Sequence, residues 1–217
     1  MIHHERLPDT PSSRFELRHA ASDRPMLVTV GERVLYAIDG LGPPAGSDYH
    51  LAGDVLRRIA STLIGRLGRS QRPGSRLPVL ETLWWTEPST DWTRLPETFD
   101  DRSDWHWRQL IEIPDEASQL AIDDAIATVQ QEARRAQPLV RVVRFREGRA
   151  AQVLHVGGAA TARASLRLLV DAIQALGLVA VGPVHELHLA HERDVPAGSA
   201  RAIIRLPVGD DSSRARR

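Results

Sequence analysis

The residue types best suited to chemistry lie in residues 184–190, which have the sequence VHELHLA. Side chains alternate between the faces of a strand, so Glu186 and His188 share one face while His185 and the two leucines share the other. We expect the leucines to face the helices and Glu186 to project into a cleft on the opposite side. Burial in a mostly apolar strand raises the pKa of a carboxylate toward values suited to a general base. The alternative is a structural ion pair between Glu186 and Arg205.

Tryptophan is concentrated in two short segments. Aromatic residues make up 5% of the chain, yet four of its five tryptophans are Trp84, Trp85, Trp105 and Trp107. On strands, Trp105 and Trp107 share one face, whereas Trp84 and Trp85 point to opposite faces. Such residues often serve only as core packing, but several on one face also form a platform for a planar ligand or a cation. We favour the platform for Trp85 and Trp107.

The histidines offer a second group of candidates. By the same alternation, His155 lies opposite its apolar neighbours and is a secondary candidate for the cleft, although a structural role is the more common one for such a histidine. His185, His188 and His191 are three residues apart, which sends them to alternating faces of a strand, so we predict no metal site. The GxSxG, GxGxxG and HExxH motifs are absent, so the common hydrolase, dinucleotide and zinc-protease classes have no motif to support them.

Composition excludes several other classes. The chain has neither Cys nor Lys, which removes disulfides, thiolate nucleophiles, Cys-ligated metals, Schiff-base lysines and the P-loop lysine. Lys plus Arg and Asp plus Glu both number 28, so we expect no nucleic-acid partner. No apolar run approaches the roughly 18 residues of a membrane span, and we expect a cytoplasmic protein without a membrane partner and without a cofactor.

Hydrophobic patterns define the elements of the first half. They predict strands over residues 25–39, 79–86 and 104–113. Gly31 is expected to mark a bulge or kink in the first strand. Ser47 is expected to cap a helix that ends near Gly65 or Gly68. Residues 88–103 are predicted to form a long loop.

The second half repeats this order after a connecting helix. Its predicted elements are a helix over 118–135, strands over 139–145 and 150–156, a helix over 161–176, and strands over 184–190 and 200–208. The sequence therefore predicts an α+β fold with an internal duplication. The predicted divisions are a flexible segment over 1–24, one domain over 25–208 with module one at 25–113, the connector at 118–135 and module two at 139–208, and a tail over 209–217.

Five stretches together carry a family resemblance. They are IDGLGPPAGSDYHLA at 38–52, LWW at 83–85, DWHW at 104–107, HVGG at 155–158 and HELHL at 185–189. With these stretches, residues 25–208 resemble the GyrI-like family of small-molecule-binding proteins. The tryptophan motifs are most similar to a stand-alone branch that hydrolyses the cyclopropane of duocarmycin-like DNA alkylators.

The resemblance implies a fold, a site and an activity. The fold would be two strand-helix-strand-strand (SHS2) modules related by a pseudo-twofold axis, with antiparallel sheets backed by helices and a ligand cleft between the modules. Glu186 would orient or deprotonate a water, and His155 or a tyrosine hydroxyl would polarise the substrate carbonyl. The partner would be a planar aromatic small molecule bound by a monomer or weak dimer. The substrate-binding residues implied are Trp85, Trp107, Tyr49, Trp84, Tyr36 and His188.

Two other functions remain open. Some relatives are effector domains of multidrug-responsive transcription activators, and an aromatic cleft with one carboxylate suits a lipophilic cation as well as a substrate. The protein would then bind or sequester drugs without turnover. The same aromatic face also suits a protein-interaction module, such as a gyrase-binding partner.

Overall fold

Strands and helices alternate along the residues described by the computed structural model, which are 21–68, 78–87, 95–133, 136–190, 195–196 and 198–210. The strands are β1 (Met26–Leu41), β2 (Leu80–Trp85), β3 (His106–Glu112), β4 (Arg141–Val156), β5 (Val179–Ala180), β6 (Val184–Ala190) and β7 (Arg201–Gly209). The α-helices are α1 (Ser47–Arg66), α2 (Leu95–Thr98), α3 (Gln119–Gln131) and α4 (Ala162–Ala175), and a 3₁₀ turn covers Ala159–Thr161.

The sheet closes on itself. Its strands follow the order β4-β1-β3-β2-β6-β7, and β4 also pairs with β7. Ala150 of β4 lies between the two ladders, because it pairs with Val28 of β1 on one side and with Pro207 of β7 on the other. All the described ladders are antiparallel. The α+β class with an antiparallel sheet is therefore confirmed, and closure buries both faces of most strands.

Strand β4 differs from the sequence prediction. Two strands were expected over 139–145 and 150–156, but one strand covers Arg141–Val156. Gly148 adopts a φ of 76° and still pairs with Val30, so the turn-like residue bends the strand without ending it. The β1–β4 pairing keeps one register on either side of Gly31, so the bulge expected there is absent.

The helix boundaries agree more closely with the sequence prediction than those of β4 do. Helix α1 ends at Arg66, as its glycines predict, but its N-cap is Gly46 and Ser47 is the first helical residue. Ser118 caps α3 by accepting a hydrogen bond from the backbone N–H of Ala121. The expected loop over 88–103 contains the short helix α2, and residues 88–94 lie outside the described part. The predicted end of the connector, Arg134 and Arg135, also lies outside it.

The helices cover one face of the sheet. Apolar residues three and four positions apart on α1 and α4 pack in a single core against Tyr36, Trp84 and Val184. Helix α3 packs on α1 through the buried face that includes Ile122, while Leu120 on the other side is 79% exposed. Residues 1–20 and 211–217 lie outside the described part, and the backbone carbonyl of Ser22 accepts a hydrogen bond from Leu154.

Charged residues fill the face turned away from the helices. His185 contacts Phe145 there, beside the small apolar cluster around Leu83. Its two ring nitrogens lie 2.9 Å from carboxylate oxygens of Glu147 and Glu81. The buried chain of polar contacts runs in the order Arg33, Glu81, His185, Glu147, Arg205 and Gln152. Buried charges are tolerated here because each one has an opposite charge or a hydrogen bond beside it.

Gly40 illustrates a close approach that the fold depends on. It pairs with Trp107 across the β1–β3 ladder, and a Cβ added at Gly40 would lie 2.1 Å from the Trp107 ring. We predict that Gly40→Ala displaces the ring and lowers the free energy of unfolding by about 1–3 kcal/mol, measured by urea denaturation and by the near-ultraviolet circular dichroism of tryptophan. Gly31→Ala on the same strand is the control, because nothing lies within 4 Å of its added Cβ. Equal effects of the two substitutions would contradict the prediction.

Candidate functional site

A cavity of about 280 Å³ lies over β6 and β7, between the beginnings of α1 and α4. Both halves of the chain line it. Its polar lining includes Glu186, His188 and His155 from the second half and Tyr49 and His50 from the first. Arg201 is a further charged lining residue, and the others are small or apolar: Pro44, Ala45, Gly157, Ala162, Ala190, Ala200, Ala202 and Ile204.

Glu186 is the buried carboxylate of this cavity. Its Oε2 accepts a hydrogen bond of 2.8 Å from the indole N–H of Trp84, and its Oε1 lies 3.2 Å from Nη1 of Arg102. Glu186 therefore lines a cavity, but on the face of the sheet opposite to the one predicted. The cleft lies on the helix side of the sheet, and Leu187 shares the opposite face with His185.

The electrostatics of Glu186 also differ from the expectation. Burial raises the pKa of Glu186, but the charges of Arg102 and His188 and the indole N–H of Trp84 outweigh it and hold the pKa below its ordinary value. The group is therefore ionised at neutral pH and does not have the raised pKa predicted from burial alone. The expected pair with Arg205 does not form, because Arg205 lies on the other face with Glu147.

Tyr49 and His188 form a hydrogen-bonded group beside Glu186. The Tyr49 hydroxyl lies 2.9 Å from Oγ1 of Thr82 and 3.4 Å from Nε2 of His188, and Thr82 lies 3.2 Å from the same nitrogen. Burial, reinforced by the negative charge of Glu186, raises the pKa of Tyr49 to about 12. The hydroxyl therefore keeps its proton and can donate it in a hydrogen bond at neutral pH.

Arg102 is the main site residue that the sequence did not reveal. It is 3% exposed, and its guanidinium carbon lies 4.5 Å from the ring centre of Trp84 and 4.2 Å from that of Phe99. It comes from the segment between α2 and β3, where no periodicity predicts a side-chain direction. The only sequence signal is a basic residue two positions before the DWHW motif.

The tryptophans do not form the predicted platform of Trp85 and Trp107. Trp84 and Trp107 are direct cross-strand partners on the helix face, and the ring of Tyr49 stacks on Trp84 at 5.3 Å and meets Trp107 edge-on at 5.4 Å. Trp85 points to the opposite face and stacks on His106. Trp85 and Trp107 therefore do not share a face, Trp84 shares that face with Trp107 instead, and none of these three tryptophans lines the cavity. Trp105 does share the Trp107 face, in the same apolar core.

The two remaining candidates, Tyr36 and His155, are held by packing or hydrogen bonds within the fold. Tyr36 is fully buried in the core, where burial and then the charge of Asp123 raise its pKa, and it does not line the cavity. His155 does line it, but its Nδ1 lies 3.0 Å from the hydroxyl of Ser165 and its Nε2 lies 3.1 Å from the carbonyl of Gly158. Since a carbonyl only accepts, Nε2 donates to Gly158. Both nitrogens are thus engaged in holding the β4–α4 connection.

Other predicted features concern metals and membranes. His185 and His188 lie on opposite faces of β6, as their spacing predicted, and His191 is outside the described residues. Within the described ranges, no group of three or more potential ligands could hold a metal ion. Over the same part of the chain, no helix combines the length and apolar character that a membrane span requires.

Comparison with known proteins gives similarity at the level of structure. The sequence matches no protein-family model and no curated protein. A crystal structure of an uncharacterized conserved protein from Listeria innocua is 26% identical, with a TM-score of 0.75 over 91% of this chain and 98% of that one. A hydrolase from the same organism is 25% identical, with a TM-score of 0.72 over the same shares. The C-terminal domain of EcmrR, at 12% identity, shares the fold alone, with a TM-score of 0.53 over 86% of this chain and 98% of that domain.

Proposed function

We propose that this protein is a GyrI-like hydrolase that binds a flat aromatic compound in the cavity and opens its strained cyclopropane with water. The observation that carries the proposal is the ionised, buried Glu186, which lines a cavity together with Tyr49, three histidines, Arg201 and mostly small apolar residues. The similarity to a hydrolase of Listeria innocua over nearly its whole length supports the reaction class. Duocarmycin-like alkylators are the proposed substrates, and resistance or detoxification is the proposed role.

The reaction needs only water and the side chains of the cavity. Water attacks the methylene carbon of the cyclopropane, so a C–O bond forms while a C–C bond breaks. The released electron pair moves through the ring to the carbonyl oxygen, which becomes a phenolate. One water proton leaves to Glu186 and reaches the phenolate through solvent. Strain in the three-membered ring lowers the barrier, so positioning plus one general base worth roughly 10²–10⁴-fold is sufficient.

A low pKa at Glu186 is compatible with this role. The attacking oxygen becomes strongly acidic once its bond to carbon has formed, so even a weak base can accept its proton. Before that point, the ionised Glu186 orients the water by accepting a hydrogen bond. Tyr49 and His188 are better placed than His155 to donate to the developing phenolate. Nε2 of His155 already donates to the backbone carbonyl of Gly158.

One observation favours binding without turnover as a second candidate. Glu186 is already engaged by Arg102 and Trp84, which stabilise its ionised form and weaken it as a base. A pocket of this kind holds a ligand without needing to react with it. We therefore retain sequestration of a planar drug as the alternative, with the same cavity as its binding site.

We also propose that the two halves are duplicated SHS2 modules. Both β1 and β4 have 16 residues. They run antiparallel along each other, with Met26 opposite Gln152 and Ala37 opposite Arg141. Helix α1 and strands β2 and β3 follow β1, while α4 and strands β6 and β7 follow β4, with the two-residue strand β5 in addition. Such symmetry is what a pseudo-twofold duplication produces.

The proposed reaction is tested with purified protein and an excess of a duocarmycin-type cyclopropane compound. Mass spectrometry follows the intact compound and the ring-opened hydroxymethyl product. Hydrolysis requires more than one product molecule per protein. Tight binding of intact compound without product would instead establish sequestration, and a compound that neither binds nor reacts would exclude both candidates.

The two neighbouring tryptophans provide a matched test of the site. Trp84→Phe removes the hydrogen bond to Glu186, and a hydrogen bond to a charged group is worth about 1.5–3 kcal/mol. Because this hydrogen bond also holds the Glu186 carboxylate in one orientation, we predict about a tenfold or greater loss of kcat/KM for this variant even though Glu186 becomes a stronger base. Trp85→Phe removes an exposed hydrogen bond to Glu87 on the opposite face and is predicted to change kcat/KM less than about twofold. Equal losses would contradict the assignment of Trp84 to the site.

A further inference from the structure

We propose that the Arg102 guanidinium occupies a built-in cation site and thereby excludes organic cations from the cavity. The inference rests on the proposed function, in that it treats the cavity beside Glu186 as a ligand site. It goes further by naming the charge class of the ligand. The residues that form the cation site are Trp84, Phe99 and Glu186.

The contacts of Arg102 are those expected for a bound organic cation. Its guanidinium lies over the faces of Trp84 and Phe99, at 4.5 and 4.2 Å from the ring centres, and pairs with Glu186. Aromatic faces attract cations through their quadrupole, and the attraction grows when the cation is removed from water. Two rings and a carboxylate are thus a complete recognition set, already filled by a side chain of the same molecule.

The segment that carries Arg102 is held in place on both sides. Phe99 is buried in the core just before it, and the backbone N–H of Trp105 donates to the carbonyl of Arg102 just after it. Asp100 also forms an ion pair with Arg163 of α4. Because the guanidinium is delivered by a tethered segment, it competes at a high effective concentration against any free cation.

The ion pair with Arg102 cancels the negative charge that Glu186 would otherwise give the cavity. Glu186 is the carboxylate among the lining residues, and Arg102 neutralises it. An entering organic cation would have to displace Arg102 and leave a second positive charge buried nearby, which is costly. A neutral planar molecule with a carbonyl acceptor meets no such barrier, and Tyr49 can donate to it.

Ligand selectivity tests this directly. The probes are benzyltrimethylammonium and its uncharged isostere neopentylbenzene, and their affinities are measured by displacement of a fluorescent planar dye. Wild-type protein should bind the cation no better than the isostere. Arg102→Gln should raise the cation-to-isostere affinity ratio by about tenfold or more, and Arg102→Gln combined with Glu186→Gln should abolish that gain. Arg58→Gln, which removes an exposed arginine paired with Glu132 and outside the Arg102 segment, should leave the ratio unchanged.

Chemical rescue provides a second readout that does not depend on turnover. Arg102→Ala removes the atoms of an ethylguanidinium ion and should lower Tm. Added ethylguanidinium at millimolar concentration should restore part of that loss, whereas N-ethylurea of the same shape should not. Should Arg102→Ala fail to fold, the same pair of additives is compared on Arg102→Gln. Equal effects of the two additives, or a wild-type preference for benzyltrimethylammonium, would overturn the proposal, even if cyclopropane hydrolysis is observed.

Discussion

Glu186→Gln is expected to lower kcat for cyclopropane opening by about 10²–10⁴-fold, the range for loss of a general base. Glutamine has nearly the same shape and can still accept from the indole N–H of Trp84. It has no negative charge, so it neither holds the attacking water firmly nor takes its proton. Binding of the intact compound should therefore persist while product formation nearly stops, as single-turnover mass spectrometry would reveal.

A similar tryptophan–glutamate pair serves as the control. Glu87 accepts a hydrogen bond of 3.2 Å from Trp85 on the opposite face of the same strand, at an exposed position. Glu87→Gln should leave kcat unchanged. Glu186→Gln also leaves Arg102 without its counter-charge, so Arg102→Gln combined with Glu186→Gln separates that electrostatic cost from lost catalysis. Full activity in Glu186→Gln would rule out the role given to this carboxylate.

Glu147→Gln is expected to reduce the free energy of unfolding by about 3–5 kcal/mol, the usual cost of removing one partner from a buried ion pair. Glu147 accepts from both His185 and Arg205, at 2.9 and 2.8 Å, and all three side chains are buried. The substitution leaves two buried positive charges near one another. Urea denaturation measures the loss, and Glu32→Gln, at an exposed pair with Arg144, should cost at most about 1 kcal/mol.

The same group makes stability depend on pH in a defined way. Burial lowers the pKa of His185, but Glu147 and Glu81 outweigh it and raise the pKa above 6.5. The stabilisation from His185 is therefore complete below about pH 6.5 and is lost as the pH rises through the raised value. Burial raises the pKa of Glu147, yet His185 and Arg205 lower it to about 2, so its contribution is present above pH 4.5 and lost on acidification toward 2. Glu147→Gln should therefore reduce the dependence of the free energy of unfolding on pH, both at low pH and above pH 6.5.

The sequence predicted the helices and strands well, but it predicted poorly which face of the sheet each side chain occupies. Alternation along strands correctly separated Trp84 from Trp85, but it could not tell which of them shares a face with Trp107. That depends on the β2–β3 register, which places Trp84 directly opposite Trp107. The apolar pattern gave no help, because closure of the sheet buries both faces and leucine occurs on each.

Register also explains the wrong partner for Glu186. In the β6–β7 ladder Glu186 pairs with Ile204, and Arg205 pairs with His185 on the other face. A shift of one residue in this register would have placed Arg205 opposite Glu186. A single sequence does not determine the register. Arg102 was missed for another reason, since its direction is set by the tertiary packing of Phe99 and Trp105 rather than by any local pattern.

The most direct test of the account is turnover of a duocarmycin-type cyclopropane compound in water enriched with oxygen-18. The compound is supplied in molar excess over the protein, and the product is analysed by mass spectrometry. We predict several product molecules per protein, each with one oxygen-18 at the carbon released from the ring. Compound that stays intact, or that becomes attached to the protein in a single stoichiometric event, would contradict hydrolysis by this cavity.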